Sequence, residues 1–259
     1  MKPVQIRNQA LVLLFSAFMV CSCTHYYYVP NAQNVPLFKE KNEYRLSANY
    51  GLGDESSCAE IQAAYSPTSN IGITANFISA QGQDRSRPNK GKGYYIEGAA
   101  GYYRPLSNSA VFEIYGGLGS GNQHHTYYDI YNNQSNGTSG MSFNRLFVQP
   151  SIGLAFDEFD IAFSTRICKL SFYGIKNNIF NNTIEYDALR AISGRNYFFA
   201  EPAITVRGGY KNFKVQCQGV FSGNLNSPPG EFGEEFHFSI GMYFTIAERY
   251  RSNHTNTGK

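Results

Sequence analysis

The stretch Phe236 to Ile246 reads FHFSIGMYFTI, with Phe236, Phe238, Ile240, Met242, Phe244 and Ile246 at every second position. His237, Ser239, Gly241, Tyr243 and Thr245 fall between them. Side chains of a strand alternate faces, so this segment has one bulky apolar face and one smaller, more polar face. The same period recurs upstream in nine further segments. These are Tyr44 to Tyr50, Ala59 to Tyr65, Ile71 to Phe77, Tyr94 to Tyr103, Ala110 to Leu118, Arg145 to Phe156, Phe159 to Leu170, Glu201 to Tyr210 and Phe213 to Phe221. Ten strands of this kind specify an all-β chain.

A soluble barrel and a membrane barrel both have one apolar face, so the choice rests on what surrounds the alternation. Connections alternate in length. SPTSN (66–70), PLSNS (105–109), Asp157-Glu158 and Lys211-Asn212 are short, whereas on the other side 81–92, 119–140, 174–196 and 224–235 are long and GLGDESS (51–57) is the one shorter connection. That rhythm, with an even strand number, belongs to transmembrane up-and-down barrels with short periplasmic turns and long external loops. The apolar positions carry no Asp, Glu, Lys or Arg, as lipid requires where a charge costs roughly 2–4 kcal/mol. Tyr44, Tyr50, Tyr65, Tyr94, Tyr102, Phe156, Phe159 and Tyr210 stand near strand ends, where aromatic girdles form. Within 174–196 the run EYDALRAI predicts one or two helical turns. The loops at 81–92, 119–140 and 174–196 form the expected contact surface.

Charged residues are 16% of the chain and the formal charge is +3, so no basic stripe for nucleic acid exists. Lys2 and Arg7 precede the apolar run Ala10 to Val20 and then Cys21, Ser22 and Cys23. This is the shape of a secretory signal, too short to span a bilayer that needs about 20 residues. Residues 1–22 are therefore assigned to the signal. Val20-Cys21-Ser22-Cys23 resembles a bacterial lipobox, which implies lipidation at Cys23, because small Ser22 precedes it. Thr24 follows, without the acidic run that marks surface export in the Bacteroidetes lipoproteins it resembles. Residues 23–42 contain Pro30 and Pro36 and no period, and are expected to form the lipid anchor and a periplasmic tether. The barrel is assigned to 43–247 and a polar tail to 248–259. Cys58, Cys168 and Cys217 remain, an odd count beside Cys23 that argues against a disulfide framework.

If the apolar face meets lipid, Glu60, Glu97, Glu113 and Glu201 turn inward together with Arg45, Arg145, Arg166, Arg207 and Lys214. Charges in so narrow a space must pair. An internal charge network that fills the lumen is the expectation, because a barrel of about eight strands is just wide enough for side chains. Two motifs carry possible chemistry. His124-His125 with Asp129 lacks the spacing of a built metal site. His237-Phe238-Ser239 resembles the His-x-Ser portion of outer-membrane lipid A deacylases, but Ile240 stands where that family has Asn, and the pair turns away from lipid. No catalytic residue, metal or cofactor is assigned.

Taken together, the lipobox-like start, YVPNAQNVPLF and the ten-strand pattern resemble the small outer-membrane β-barrel lipoproteins of Bacteroidetes. The resemblance implies a non-enzymatic barrel of the Gram-negative outer membrane, both lipid-anchored and spanning, with a structural or surface-interaction role. Its implied partners are outer-membrane lipid, the barrel-assembly and lipoprotein-export machinery, and an unidentified extracellular partner. The alternative is a periplasmic soluble-barrel lipoprotein binding a lipid or other apolar ligand through inward-facing apolar residues. A small pore and a lipid A-modifying enzyme rank below it.

Overall fold

The structure, a computed structural model, describes residues 26–84, 88–129, 134–179, 183–227 and 233–250. The expected signal at 1–22, the expected lipidation site Cys23 and residues 251–259 of the expected tail lie outside the described residues. The strands are β1 (Tyr44–Leu52), β2 (Ser56–Tyr65), β3 (Ile71–Gln83), β4 (Lys90–Pro105), β5 (Ala110–Tyr128), β6 (Ser135–Ala155) and β7 (Phe159–Asn177). Helix α1 (Ile184–Ile192) follows, then β8 (Asn196–Tyr210), β9 (Phe213–Phe221) and β10 (Phe236–Ile246). Gly223–Asn224 continues β9 for two residues along β8.

Each strand pairs antiparallel with the next, and the ring of ten closes where β10 pairs with β1, Tyr44 opposite Ile246 and Leu52 opposite Phe238. Closure leaves no free sheet edge, the condition for β-structure in lipid. The strict alternation of β10 sets its faces: Ile240 is 49% exposed, whereas His237 and Ser239 are fully buried. The same holds for Leu46, Ile61, Phe77, Ile96, Leu146, Phe163 and Ile204, all exposed on the outer wall. A continuous apolar belt of this extent is far beyond what soluble monomers expose. It corrects the soluble-barrel alternative, whose apolar residues would face inward. Cross-strand aromatic pairs mark the rims: Tyr44 stacks on Tyr65 at 4.4 Å, Phe213 meets Phe244 at 5.0 Å and Phe221 meets Phe236 at 4.9 Å.

Three loops are shorter than expected. The chain assigned to 119–140 is mostly paired strand, with β5 running to Tyr128 and β6 starting at Ser135. Likewise β3 runs to Gln83, β4 starts at Lys90, and β7 runs to Asn177. The Gly, Asn and Ser there form a wall that needs no apolar outer face, so alternation fades while the backbone still pairs. With 16, 19, 21, 19 and 15 residues, β4 to β8 far exceed the roughly 9–11 that cross a bilayer. They build a tall lip at the loop end. Helix α1 caps it, starting where Thr183 Oγ1 accepts the Tyr186 N–H (3.2 Å) and burying Leu189 and Ile192 against Tyr127, Phe172 and Tyr197.

Two substitutions on β10 test the assignment of faces. Ile240→Arg is expected to cost roughly 2–4 kcal/mol and to lower the midpoint of heat-modifiable gel mobility. Ser239→Ala is expected to be neutral or stabilising, since the buried hydroxyl has no hydrogen-bond partner. The reverse ranking would place the apolar face inside.

Candidate functional site: the filled lumen

Residues 26–42 are not a solvated tether. Tyr27, Tyr28, Ala32, Gln33, Val35, Leu37 and Phe38 are buried inside the barrel. At the loop end the Tyr28 backbone bridges to Gly233, and its carbonyl accepts the Glu234 N–H (2.9 Å). At the turn end Lys39 Nζ donates to the Asn108 carbonyl (2.9 Å), and the Glu40 carbonyl accepts from Ser66 Oγ (2.7 Å). The segment, here called the strap, therefore runs the full height of the lumen. Extended chain rises about 3.3 Å per residue, so Tyr28 to Lys39 covers on the order of 35 Å, more than an apolar band of about 25 Å.

An extended strand in a closed lumen has no neighbouring strand, so its N–H and C=O groups need other partners. Inward side chains of the wall supply them. Gln218 pairs with both groups of Gln33: Oε1 accepts the N–H (2.6 Å) and Nε2 donates to the carbonyl (2.9 Å). Gln62 Nε2 donates to the Ala32 carbonyl (2.9 Å), Gln149 Nε2 to the Asn34 carbonyl (2.8 Å) and Arg207 Nη2 to the Val35 carbonyl (2.7 Å). Tyr243 Oη donates to the Pro36 carbonyl (3.0 Å). The strap leaves the lumen at Leu37, whose φ of 54° is left-handed. That conformation costs a bulky residue about 1–3 kcal/mol, and the pocket of Val35, Val111, Ala155 and Ala162 holds it.

The nine charges singled out in the sequence are all buried on the inner wall. Four of them form one chain of ion pairs: Arg145 Nη2 to Glu97 Oε2 (2.5 Å), Arg166 Nη1 to Glu97 Oε1 (3.7 Å) and Arg166 Nε to Glu201 Oε2 (2.6 Å). Asn31 of the strap sits between the two guanidinium groups, its Oδ1 accepting from Arg145 (2.7 Å) and Arg166 (3.0 Å). Tyr28 Oη donates to Glu201 (2.5 Å) and accepts from Arg145 (2.8 Å). Arg207 and Lys214 share Asp160, at 3.7 and 2.6 Å, and the Arg207 guanidinium lies 3.8 Å from the Tyr243 ring centre. Arg45 pairs with Glu43.

Two of the nine stand apart from the rest. Glu113 has no cation in salt-bridge range among the described residues, and accepts the Phe38 N–H (3.0 Å) and the Ser151 hydroxyl (3.5 Å). Glu60 accepts the Ala32 N–H (3.1 Å) and meets His237 and Cys58 instead of a guanidinium. Sequence reasoning placed His237 inward but not beside Glu60 and Cys58, and it missed Asp160, Glu43 and the whole strap. Asp160 followed the alternation of β7 and was legible, whereas the others required the fold.

Cys58, Glu60 and His237 meet inside the wall near the closing seam. Cys58 Sγ is 3.2 Å from Glu60 Oε1 and 3.7 Å from His237 Nε2, and His237 Nε2 is 3.5 Å from Glu60 Oε1. The other expected histidine motif is taken apart: alternation along β5 sends His124 outward and His125 inward, where it meets the Tyr27 ring edge at 5.1 Å. Cys58, Cys168 and Cys217 are free thiols.

Past the turn end, Arg249 closes the base, Nη2 to Glu43 Oε1 (2.6 Å) and Nη1 to Glu43 Oε2 (3.0 Å). Part of the expected polar tail is thus docked. Burial alone would raise the Glu43 carboxyl. The Arg45 and Arg249 guanidinium groups and the Lys39 N–H overcome that and hold it below the usual carboxylate range.

No family model matches the chain, and no curated protein matches it. Among solved structures, the chain is similar to the translocator domain of the autotransporter NalP from Neisseria meningitidis, with 8% identity over 93% of this chain and 95% of that one and a TM-score of 0.50. The outer membrane protease OmpT from Escherichia coli shows 10% identity over 83% and 100% of the two chains, TM-score 0.45. The N-terminal β-barrel domain of OprF from Pseudomonas aeruginosa shows 9% identity over 80% and 99%, TM-score 0.33. The NalP likeness bears on the fold, and at 8% identity on the fold alone. The chain is a closed ten-stranded barrel of the outer-membrane kind.

Two measurements test the lumen. Glu97→Gln removes the ion-pair partner of Arg145 and leaves Arg166 with Glu201 alone, and is expected to cost about 3–5 kcal/mol, whereas Glu113→Gln, with no cation to strand, is expected to cost under about 1.5 kcal/mol. Urea unfolding in detergent reads both, and equal costs would refute the pairing. Arg249→Leu is expected to lose about 1.5–3 kcal/mol at pH 7, the worth of hydrogen bonds to a charged group. Because the folded Glu43 carboxyl is depressed, this contribution is present above the ordinary value of about 4.3 and is lost as pH falls through the lower folded one. A difference between wild type and Arg249→Leu that persists far below that range would exclude the clasp.

Proposed function

We propose that the protein is a lipid-anchored, non-conducting barrel of the outer membrane that presents its loop end outside the cell, as a structural or contact element and not an enzyme. One observation carries this reading: the strap occupies the lumen from end to end, and paired charges and α1 fill what remains. Water and solutes have no evident path through such an interior. The apolar belt supports residence in lipid, and the signal-like start supports export. His237 and Ser239 point into the packed lumen, where lipid substrate has no access, and this supports the non-enzymatic reading.

The strap also bears on the anchor. In barrels of this kind short turns are periplasmic and long loops external. Tyr26, at the loop end, lies three positions after Cys23, and three residues reach at most about 11 Å. A lipid on Cys23 is then delivered to the outer leaflet, with the mature N-terminus on the cell surface. This differs from the expected periplasmic tether.

A small epitope inserted between Thr24 and His25 is expected to bind antibody on intact cells as strongly as on lysed ones. Binding only after lysis would overturn the orientation. In planar bilayers the full chain is expected to show no stable conductance, and a chain lacking residues 27–38 is expected to conduct. A large, stable conductance of the full chain would overturn the filled lumen. Loss of lipid labelling in Cys23→Ala tests the anchor separately.

A further inference from the structure

The His237 imidazole is fully buried. Nδ1 has no partner, and Nε2 has only a long contact with Cys58 Sγ at 3.7 Å and lies 3.5 Å from Glu60, beyond the 2.7–3.2 Å of N–H···O bonds. Glu60 Oε2 is buried without a partner as well. Buried polar groups nearly always have a partner. A Cys, a Glu and a His whose ligand atoms all lie within 4.8 Å of one another are also the donor types that hold zinc.

The spacing discriminates further. Zinc bonds of about 2.3 Å to sulfur and 2.0–2.2 Å to nitrogen and oxygen, set at tetrahedral angles, place the donors about 3.4–3.6 Å apart. The observed separations of 3.2, 3.5 and 3.7 Å fall within about 0.4 Å of that range. Room for the group is left by β1. A Cβ on Gly51 would stand 2.3 Å from the His237 ring and 2.8 Å from Cys58 Sγ. Gly51 pairs with Cys58 on one side and Ser239 on the other.

We propose that Cys58, Glu60 and His237 bind a divalent zinc-type ion, which pins β2 to β10 across β1 at the closing seam. Thiolate, imidazole and carboxylate supply three ligands and leave a fourth position for water. Binding releases the Cys58 thiol proton to solvent. Glu60 also accepts the Ala32 N–H (3.1 Å), so the ion couples the seam to the strap. Nearby, toward the loop end, a cavity of about 100 Å³ is lined by Ser56, Ile78 and Glu234, and Ile78 packs on Cys58. The separation of 177 residues between Glu60 and His237 hides the site from any local motif.

The full chain, refolded in detergent with zinc and dialysed, is expected to retain about one equivalent by elemental analysis. Cys58→Ser and His237→Ala are expected to lose it, Glu60→Gln to weaken binding at least tenfold, and Cys217→Ser to leave it unchanged. Zinc is expected to raise the mobility-shift midpoint of wild type and not of Cys58→Ser. Cobalt(II) loaded on wild type is expected to show thiolate charge-transfer absorption, which needs no variant to fold. Less than a tenth of an equivalent in wild type, no thiolate absorption with cobalt, or full retention in folded Cys58→Ser would overturn the site. None of these readouts depends on the orientation or conductance of the barrel.

Discussion

A backbone that crosses a membrane must satisfy every N–H and C=O within the protein. The ten-stranded wall does so by closing on itself, but the strap inside it has no strand to pair with. Its partners include amide, guanidinium, carboxylate and phenol groups pointing inward from β2, β5, β6, β8, β9 and β10, with Gln218 pairing Gln33 as a neighbouring strand would. The inner face is therefore rich in Gln, Asn, Arg and Glu for a reason beyond solvation: these side chains reach across the lumen and end in planar donors and acceptors. Thr205 fills a position where a neighbouring long side chain comes close, its Oγ1 accepting from Gln218 Nε2 (2.6 Å).

The wall was legible because its two environments differ at every second residue. Phe236 to Ile246 announced its faces and its role, and the seam with Tyr44 to Tyr50 followed from closing the ring. Legibility ended where that contrast ended. Residues 119–128 have Gly, Ser and Asn on both faces, so they read as loop although they pair with β6. The strap is illegible for a related reason. It is surrounded on all sides, so none of its positions is systematically favoured, and Pro30 with Pro36 gave it the signature of a solvated linker. Inward charges were legible one at a time, but their partners depend on shear and register. Hence Glu60 was grouped with the arginines, whereas the fold places it beside His237 and Cys58.

The asymmetry of the barrel follows from the same division. On the side of β1, β2, β9 and β10 the strands hold 9 to 11 residues and stop near the limit of the apolar belt. On the side of β5, β6 and β7 they continue to 19 or more. Toward the loop end the inner face changes from charged to aromatic: Tyr127, Phe172, Tyr197 and Phe199 gather with Tyr27, Tyr28 and α1 in one cluster, which Phe147 joins from below. Water reaches the outside of this lip, so the inside is where apolar surface is removed from it. The polarity of the wall thus inverts with height, and one strand, β7, carries Arg166 inward within the belt and Leu170 and Phe172 inward above it.

Charge accounting explains why so polar an interior needs so neutral a strap. Among the described residues, the strands bury five cations on the inner wall, Arg45, Arg145, Arg166, Arg207 and Lys214, and five anions, Glu60, Glu97, Glu113, Asp160 and Glu201. From Tyr26 to Phe38 the strap carries none. The wall is balanced without it, so the strap contributes dipoles and volume but no net field. A single charge added to it would be unmatched in a space where an unpaired ion costs several kcal/mol. The strap can therefore vary in side-chain shape more readily than in charge. Its Asn31, which accepts from two arginines through one amide oxygen, does the work of an anion at a site where a real anion would break the balance.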